Sequence, residues 1–308
     1  MTRRTLLAGM GAVPAFAQRA KGPKVFLDYD QAELDAAYNQ ASYAPNMQQL
    51  QARARSNSEL IRARLGEPMR SAYGPTEIER LDIYRAKGEK MPVQVFIHGG
   101  AWQGLSARSS AFPAEMFIAA GAHYVTPDFV AVQNAGGSLN AMADQVRRAI
   151  VWVRENAASF GGDPERLYLS GHSSGAHLAA AALTMLPRGT VQGALLVSGM
   201  YDLKGPRLSS RNSYVKFDDA SEEGLSPQRH IDKISAPLIV AYASLDTPEF
   251  RRQSVEFVAA LTAAGKPVEL IHGDNYNHFE FLETLGNPYG QLGHAALAQM
   301  RLQGLQGQ

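Results

Sequence analysis

Leu167-Tyr-Leu-Ser-Gly-His-Ser-Ser-Gly-Ala-His-Leu178 is the stretch on which the reading of this 308-residue chain turns. Leu167 to Leu169 is a short apolar run of the kind that makes a buried strand. Ala176 to Leu186 is rich in Ala and Leu, which predicts a helix. Between them, Gly171-His-Ser-Ser-Gly175 has the form G-x-S-x-G. In a strand-to-helix turn this is the nucleophile elbow, whose central serine is held in a strained conformation with its hydroxyl pushed out of the sheet. Gly171 and Gly175 are required because a Cβ at either place would collide with the neighbouring strand or helix. The turn also sets the N–H of Ser174 at a helix N-terminus, where it can stabilise a developing negative charge. Ser173 is therefore the candidate nucleophile.

Outward from the elbow the chain alternates strand and helix. Upstream, Arg80 to Tyr84 alternates with period two, and a turn at Lys87 to Lys90 leads into the apolar run Val93 to Ile97. A helix around Ser110 to Ala120, a strand at His123 to Thr126 and a long amphipathic helix from Leu139 to Phe160 precede the elbow. Downstream, Gly193 to Val197, Pro237 to Tyr242 and Val268 to Ile271 read as strands, with helices at Glu249 to Ala264 and Tyr289 to Leu302. The pattern predicts an α/β fold, one domain with a mostly parallel central sheet covered by helices on both faces. Residues 30–70 read as an N-terminal helical arm, divided at Pro45, that either caps the site or packs on the domain's flank. Residues 204–230 form a long polar connection, a candidate lid loop.

A serine hydroxyl needs a base, and the base needs an orienting acid. In this fold they follow the serine in the order acid, histidine, each on a loop past a strand's C-terminal end. Asp246 follows the strand 237–242 and precedes a helix opened by Pro248, whereas the competing Glu249 sits inside that helix's first turn. His278 lies deep in the loop after the strand 268–271; His272 at the strand end reads as structural and Asp274 as a turn cap. The loop after Ile97 reads His98-Gly-Gly-Ala-Trp102, and its glycines let Gly100 or Ala101 turn an N–H inward as a second oxyanion donor beside Ser174. His98 reads as bonded within that loop. Trp102 is either a wall for a flat aromatic leaving group, with Tyr201, Tyr214 and Phe217 as neighbours, or local packing. Arg207 and Arg211 either meet a substrate carboxylate or belong to a solvated charged loop, the latter being favoured.

Lys and Arg number 30 against 29 acids, so nothing in the balance suggests nucleic acid or an anionic membrane as partner. With no cysteine, disulfides, thiolate metal sites and cysteine nucleophiles are excluded. No histidine pair has helical ligand spacing beside a carboxylate, and no cofactor or metal is expected. Arg3-Arg4 followed by a mildly apolar stretch and Ala15-Phe-Ala17 predicts a Tat-type signal peptide over residues 1–17, leaving residues 18–308 as the mature domain. That stretch is too short for a stable membrane anchor. The mature protein is expected to be periplasmic or secreted.

The loop His98-Gly-Gly-Ala-Trp102 and the elbow Gly171-His-Ser-Ser-Gly-Ala-His-Leu178 resemble those of the arylformamidases (kynurenine formamidases) of the α/β-hydrolase superfamily. Ser198 to Leu203, Asp246 to Phe250 with Arg252 to Ser254, and Asn277 to Glu280 are similar as well, and the likeness runs from about Tyr43 to the end. It implies the triad Ser173, Asp246 and His278, and a cofactor-free serine hydrolase acting on a small ester or amide. An aryl formamide or small-acyl ester is the preferred substrate; a broad carboxylesterase, amidase or carbamate hydrolase is the alternative. An inactive hydrolase-fold binding protein is the alternative of another class, and such proteins usually lack a triad member.

Overall fold

Along a strand, successive side chains point to opposite faces of the sheet, so one alternating sequence can supply two cores. In the computed structural model, which describes residues 21–302, Val93, Val95 and Ile97 join one buried cluster while Phe96 joins a second. The segment read as a signal peptide lies outside the described residues.

A short antiparallel hairpin, β1 (Lys24–Phe26) and β2 (Tyr29–Asp30), leads into α1 (Gln31–Ala37) and α2 (Met47–Leu65). Helix α1 starts where it does because Asp30 and Glu33 each accept the other's backbone N–H at 2.9 Å. There follow β3 (Met69–Ala72), β4 (Arg80–Tyr84), β5 (Met91–Ile97), α3 (Ala114–Ala119), β6 (His123–Pro127), α4 (Leu139–Asn156), β7 (Gly162–His172), α5 (Ser174–Met185) and β8 (Gly193–Val197). Helices α6 (Lys204–Leu208) and α7 (Asp219–Gly224) come next. The chain then runs through β9 (Leu238–Ala243), α8 (Pro248–Ala263), β10 (Val268–Gly273), α9 (His278–Glu283) and α10 (Gln291–Gln299).

Strands β3 to β10 form one eight-stranded sheet in the order β10-β9-β8-β7-β5-β6-β4-β3. Only β4 runs against the others, pairing antiparallel with β3 and with β6. Helices α4, α5 and α8 bury Val146, Ile150, Leu178 and Phe257 on one face; α3, α9 and α10 bury Phe117, Phe281 and Leu297 on the other. The mostly parallel, doubly covered sheet expected from the sequence is present.

Three local expectations need correcting. Strand β3 carries no apolar alternation and lies at the exposed sheet edge, so the 30–70 arm ends before Met69 and Arg70. The 204–230 connection is not a plain loop: Asp218 caps α7, Arg207 and Arg229 both pair with Glu222, and Val215 and Leu225 are buried. The third is α9, a single-cap helix hidden in the loop after β10.

The arm spans both faces. Leu34 and Tyr38 at α1 join the first cluster and Ile61 of α2 joins the second, and residues of both segments line a cavity at the carboxyl ends of β5 and β7. The Tyr38 hydroxyl donates to Glu249 Oε2 at 3.0 Å and accepts from Gln253 Nε2 at 2.9 Å, which pins the arm to α8.

A Cβ built on Gly175 would overlap the carbonyls of Ile97 and His98 at the end of β5, and these are backbone atoms that cannot swing aside. Gly175→Ala is therefore expected to cost about 3 kcal/mol of stability, the upper end of overpacking penalties. Urea denaturation followed by circular dichroism checks it; an unchanged midpoint would contradict this account of the turn.

Candidate active site

Strand β7 ends at His172 and α5 begins at Ser174, so Ser173 alone makes the turn. Its backbone, at φ 57° and ψ −126°, lies outside the regions an L-residue ordinarily occupies. Besides Gly175, Gly171 has no room for a Cβ against the backbone where α5 begins, and a Cβ on Gly99 would stand 2.8 Å from the His172 carbonyl. The Ser173 N–H donates to the Val197 carbonyl at 2.9 Å, tying the turn to β8. The residue lines the cavity.

Asp246 sits between β9 and the proline that opens α8, and it is fully buried. Its Oδ1 accepts from His278 Nδ1 at 2.6 Å, while Oδ2 accepts from the Ser198 hydroxyl at 2.6 Å and the Ala243 N–H at 2.9 Å. Three hydrogen bonds offset the cost of burying a carboxylate and leave it one orientation. Because Nδ1 keeps its proton and donates it in a hydrogen bond to the carboxylate, His278 Nε2 is left as the acceptor nitrogen. Glu249, weighed as the alternative acid, is turned elsewhere: Arg252 donates to both of its oxygens at 2.8 Å.

His278 is the first residue of α9 and 1% exposed, and it lines the same cavity as Ser173. Asn277 caps the helix by accepting from Phe279 N–H at 3.0 Å and Glu280 N–H at 3.1 Å, and Glu280 accepts the Asn277 N–H in return. The arm clasps this cap, since Asn46 donates to Glu280 and accepts from Asn277, each at 2.8 Å. His172 Nε2 donates to the His278 carbonyl at 3.0 Å. Burial, and then the adjacent His278 ring, hold the His172 pKa well below the usual imidazole value, so it acts as a neutral strut.

The His98–Trp102 loop is built by a run of positive φ angles: Gly100 at 106°, Ala101 at 54° and Trp102 at 63°. The Gly100 carbonyl accepts from Gln103 N–H at 2.9 Å, closing a tight turn, and Trp102 N–H donates to Ser174 Oγ at 3.1 Å, fastening the loop to the elbow. Gly100 and Ala101 line the cavity; Ser174 is buried beside it at the first position of α5, where a helix leaves N–H groups without an internal acceptor. His98 Nδ1 donates to the Gly99 carbonyl at 3.1 Å and its ring stacks on Phe129 at 4.3 Å; burial lowers its pKa.

Two expected substrate contacts are not brought to the cavity. Trp102 is 1% exposed, sealed between His177 and Phe217, and Tyr201 is buried in a stack with Phe257 at 4.2 Å. Both are packing residues, because the left-handed turn at Trp102 sends its ring under α5. The apolar walls come instead from Leu50 and Ala54 of α2, Phe112 and Phe279, around a volume of about 470 Å³. Ser198, which orients Asp246, carries no sequence signal as a partner of the acid beyond its place directly after β8. Arg211, expected in a solvated loop, is instead buried at the cavity, whereas Arg207 pairs with Asp219 and Glu222. Among the described residues no group of three or more His, Asp or Glu side chains is placed to hold a metal, and no helix is long and apolar enough to cross a membrane.

Comparison with known proteins sorts this geometry. Residues 81–192 match the family model BD-FAE. The chain is 34% identical over 274 residues to the kynurenine formamidase of Danio rerio, an alignment covering 82% of this chain and 90% of that protein. The chain belongs to the kynurenine formamidase family. This family member is also 33% identical over 222 residues to the esterase LipQ of Mycobacterium tuberculosis, across 63% of this chain and 52% of that protein. The fold is that of esterase 2 of Thermogutta terrifontis, with a TM-score of 0.66 at 22% identity over 79% of this chain and 96% of that one. As a formamidase-family α/β-hydrolase, the protein is a hydrolytic enzyme.

His177 supplies a test of the packing beneath the loop. It accepts Trp102 Nε1–H on Nδ1 at 3.2 Å and donates from Nε2 to the Leu225 carbonyl at 2.8 Å, and burial lowers its pKa to about 4. The unfolded chain binds this proton near pH 6.5 and the native state does not, so stability falls as pH drops through that window. Between pH 7 and pH 4 the native protein should lose about 3 kcal/mol more than His177→Gln, which keeps one donor and one acceptor. Equal pH dependence in the two urea titrations would refute the assignment.

Proposed function

We propose that the enzyme is a serine hydrolase that cleaves an aryl formamide or a small-acyl aryl ester through an acyl-enzyme. The observation that carries this reading is the buried Asp246–His278 pair at 2.6 Å, with His278 and the strained Ser173 on one cavity. Ser173 Oγ attacks the carbonyl carbon while His278 Nε2 takes its proton, and Asp246 fixes the tautomer and stabilises the imidazolium. The Ser174 N–H, with that of Gly100 or Ala101, receives the negative charge on the carbonyl oxygen. His278 returns the proton to the leaving amine or phenol; water, deprotonated by the same nitrogen, then attacks the acyl-enzyme and frees the acid and Ser173.

Apolar walls of Phe112, Phe279 and Leu50 suit an aromatic leaving group, and the zebrafish relative's name supports a formyl acyl group. The LipQ likeness favours the second reading, a broader carboxylesterase. Hydrolysis of N-formylkynurenine beside phenyl acetate by residues 18–308 separates the two. Comparable or greater kcat/KM on the formamide supports the first reading, and ester turnover with little formamide turnover supports the second. In either case Ser173→Ala should abolish turnover, and Asp246→Asn should lower kcat by roughly 10⁴-fold. Activity surviving Ser173→Ala would overturn the mechanism.

The Arg3-Arg4 pair with the apolar stretch after it supports the further proposal that residues 1–17 export the enzyme by the twin-arginine route and that it works outside the cytoplasm. Protein recovered from the periplasm should begin at Gln18, and replacing Arg3 and Arg4 with lysine should retain it inside; export unaffected by that change would refute the route.

A further inference from the structure

The chemistry proposed above leaves a buried cation on the cavity without a task. Arg211 is 7% exposed and lines the cavity, yet its recorded hydrogen bonds go only to neutral groups. Nη1 donates to the Tyr214 hydroxyl and Nη2 to the Tyr38 carbonyl, both at 2.9 Å, and Nε has no partner. The guanidinium otherwise lies against aromatic faces, 5.4 Å from Trp102 and 5.8 Å from Tyr38 and Phe250. The carboxylates on the cavity wall and on α8 have other partners and make no ion pair with it. Asp35 accepts the Ser210 N–H, Glu283 pairs with Arg53, and Glu249 is held by Arg252. A guanidinium stays charged wherever it is placed, and burying one without a counter-charge is costly.

Gln40 lies two residues beyond Tyr38 on the same wall. It is 9% exposed, and neither its amide nitrogen nor its amide oxygen has a partner. A buried amide with both functions unmet, on the same cavity as a cation without an ion-pair partner, matches a ligand that brings an anionic acceptor and an N–H donor. The amide atoms are buried, and because they make no hydrogen bond, rotating the side chain towards the cavity breaks none.

We propose that Arg211 and Gln40 form a carboxylate-binding subsite, so that the preferred substrates carry a carboxylate away from the scissile carbonyl. The planar guanidinium matches the two oxygens of a carboxylate, the Gln40 NH₂ adds a third donor, and its oxygen accepts an adjacent N–H. The proposal rests on the hydrolytic reading of the same cavity.

The test is kcat/KM for the acetyl ester of hydroxyphenylpropanoate against the ester in which a carboxamide replaces the carboxylate. The native enzyme should prefer the anionic ester by about tenfold or more, the usual strength of a charge-assisted hydrogen bond. Arg211→Met should bring the ratio near one, and Gln40→Leu, which leaves the Arg211 bonds to the arm in place, should lower it severalfold. A native ratio near one, or a ratio unchanged in both variants, overturns the subsite. If the native enzyme cleaves neither ester, the hydrolytic reading falls separately, and calorimetry with phenylpropanoate decides the subsite. Saturable binding to the native protein that weakens in Arg211→Met and in Gln40→Leu supports it, and absent or unaltered binding overturns it.

Discussion

A helix can start one residue after a strand ends only if the space inside the turn is empty. Here that space is bounded by the carbonyls of Ile97 and His98 and by the first turn of α5, and Gly171 and Gly175 keep it clear. The strained backbone of Ser173 follows from that closeness, as does the position of Ser174 at the head of a helix. The His98–Trp102 loop depends on it too: Gly99 lets β5's extension approach His172, and Trp102 N–H reaches Ser174 Oγ. The strain at Ser173 is sustained by the parallel pairing of β7 with β5 and β8, which leaves the chain no alternative path.

Around that turn, polar groups are buried in closed sets. Asp246 is satisfied by His278, Ser198 and Ala243, and the His278 backbone is held by His172 and by the cap that Asn46 clasps. Such sets are stiff because rotating any one member strands the others without partners in a low-dielectric interior. An imidazole fixed in this way meets the conditions for proton transfer without reorganising at the moment of reaction. The arm takes part through Asn46 and Tyr38, so the covering of the site and the orientation of its histidine are coupled.

Much of this was legible in the chain. Strand β4 and helix α4 announce themselves by period, because side chains alternate or recur every turn where an element faces a core, and β8 by an unbroken apolar run buried on both faces. Strand β3 did not, since Met69 to Ala72 lies at an exposed edge and has no buried face to encode. Helix α9 did not either, being held by one capping box rather than by a long apolar stripe.

The sequence by itself determined the strand-to-helix elbow, the places of Ser173 and His278, and the segment past β9 that carries both Asp246 and Glu249, because each is set by a local rule: no room for a Cβ, or a loop just past a strand's carboxyl end. Tertiary structure alone decided which of Asp246 and Glu249 meets the histidine, that Trp102 and Tyr201 are sealed away, and that Arg211 is drawn into the cavity. Those outcomes depend on contacts such as Arg211 with the Tyr38 carbonyl, 173 residues apart. No local pattern records which distant segment will supply a neighbour, and burial, not residue type, assigns a charged side chain its work.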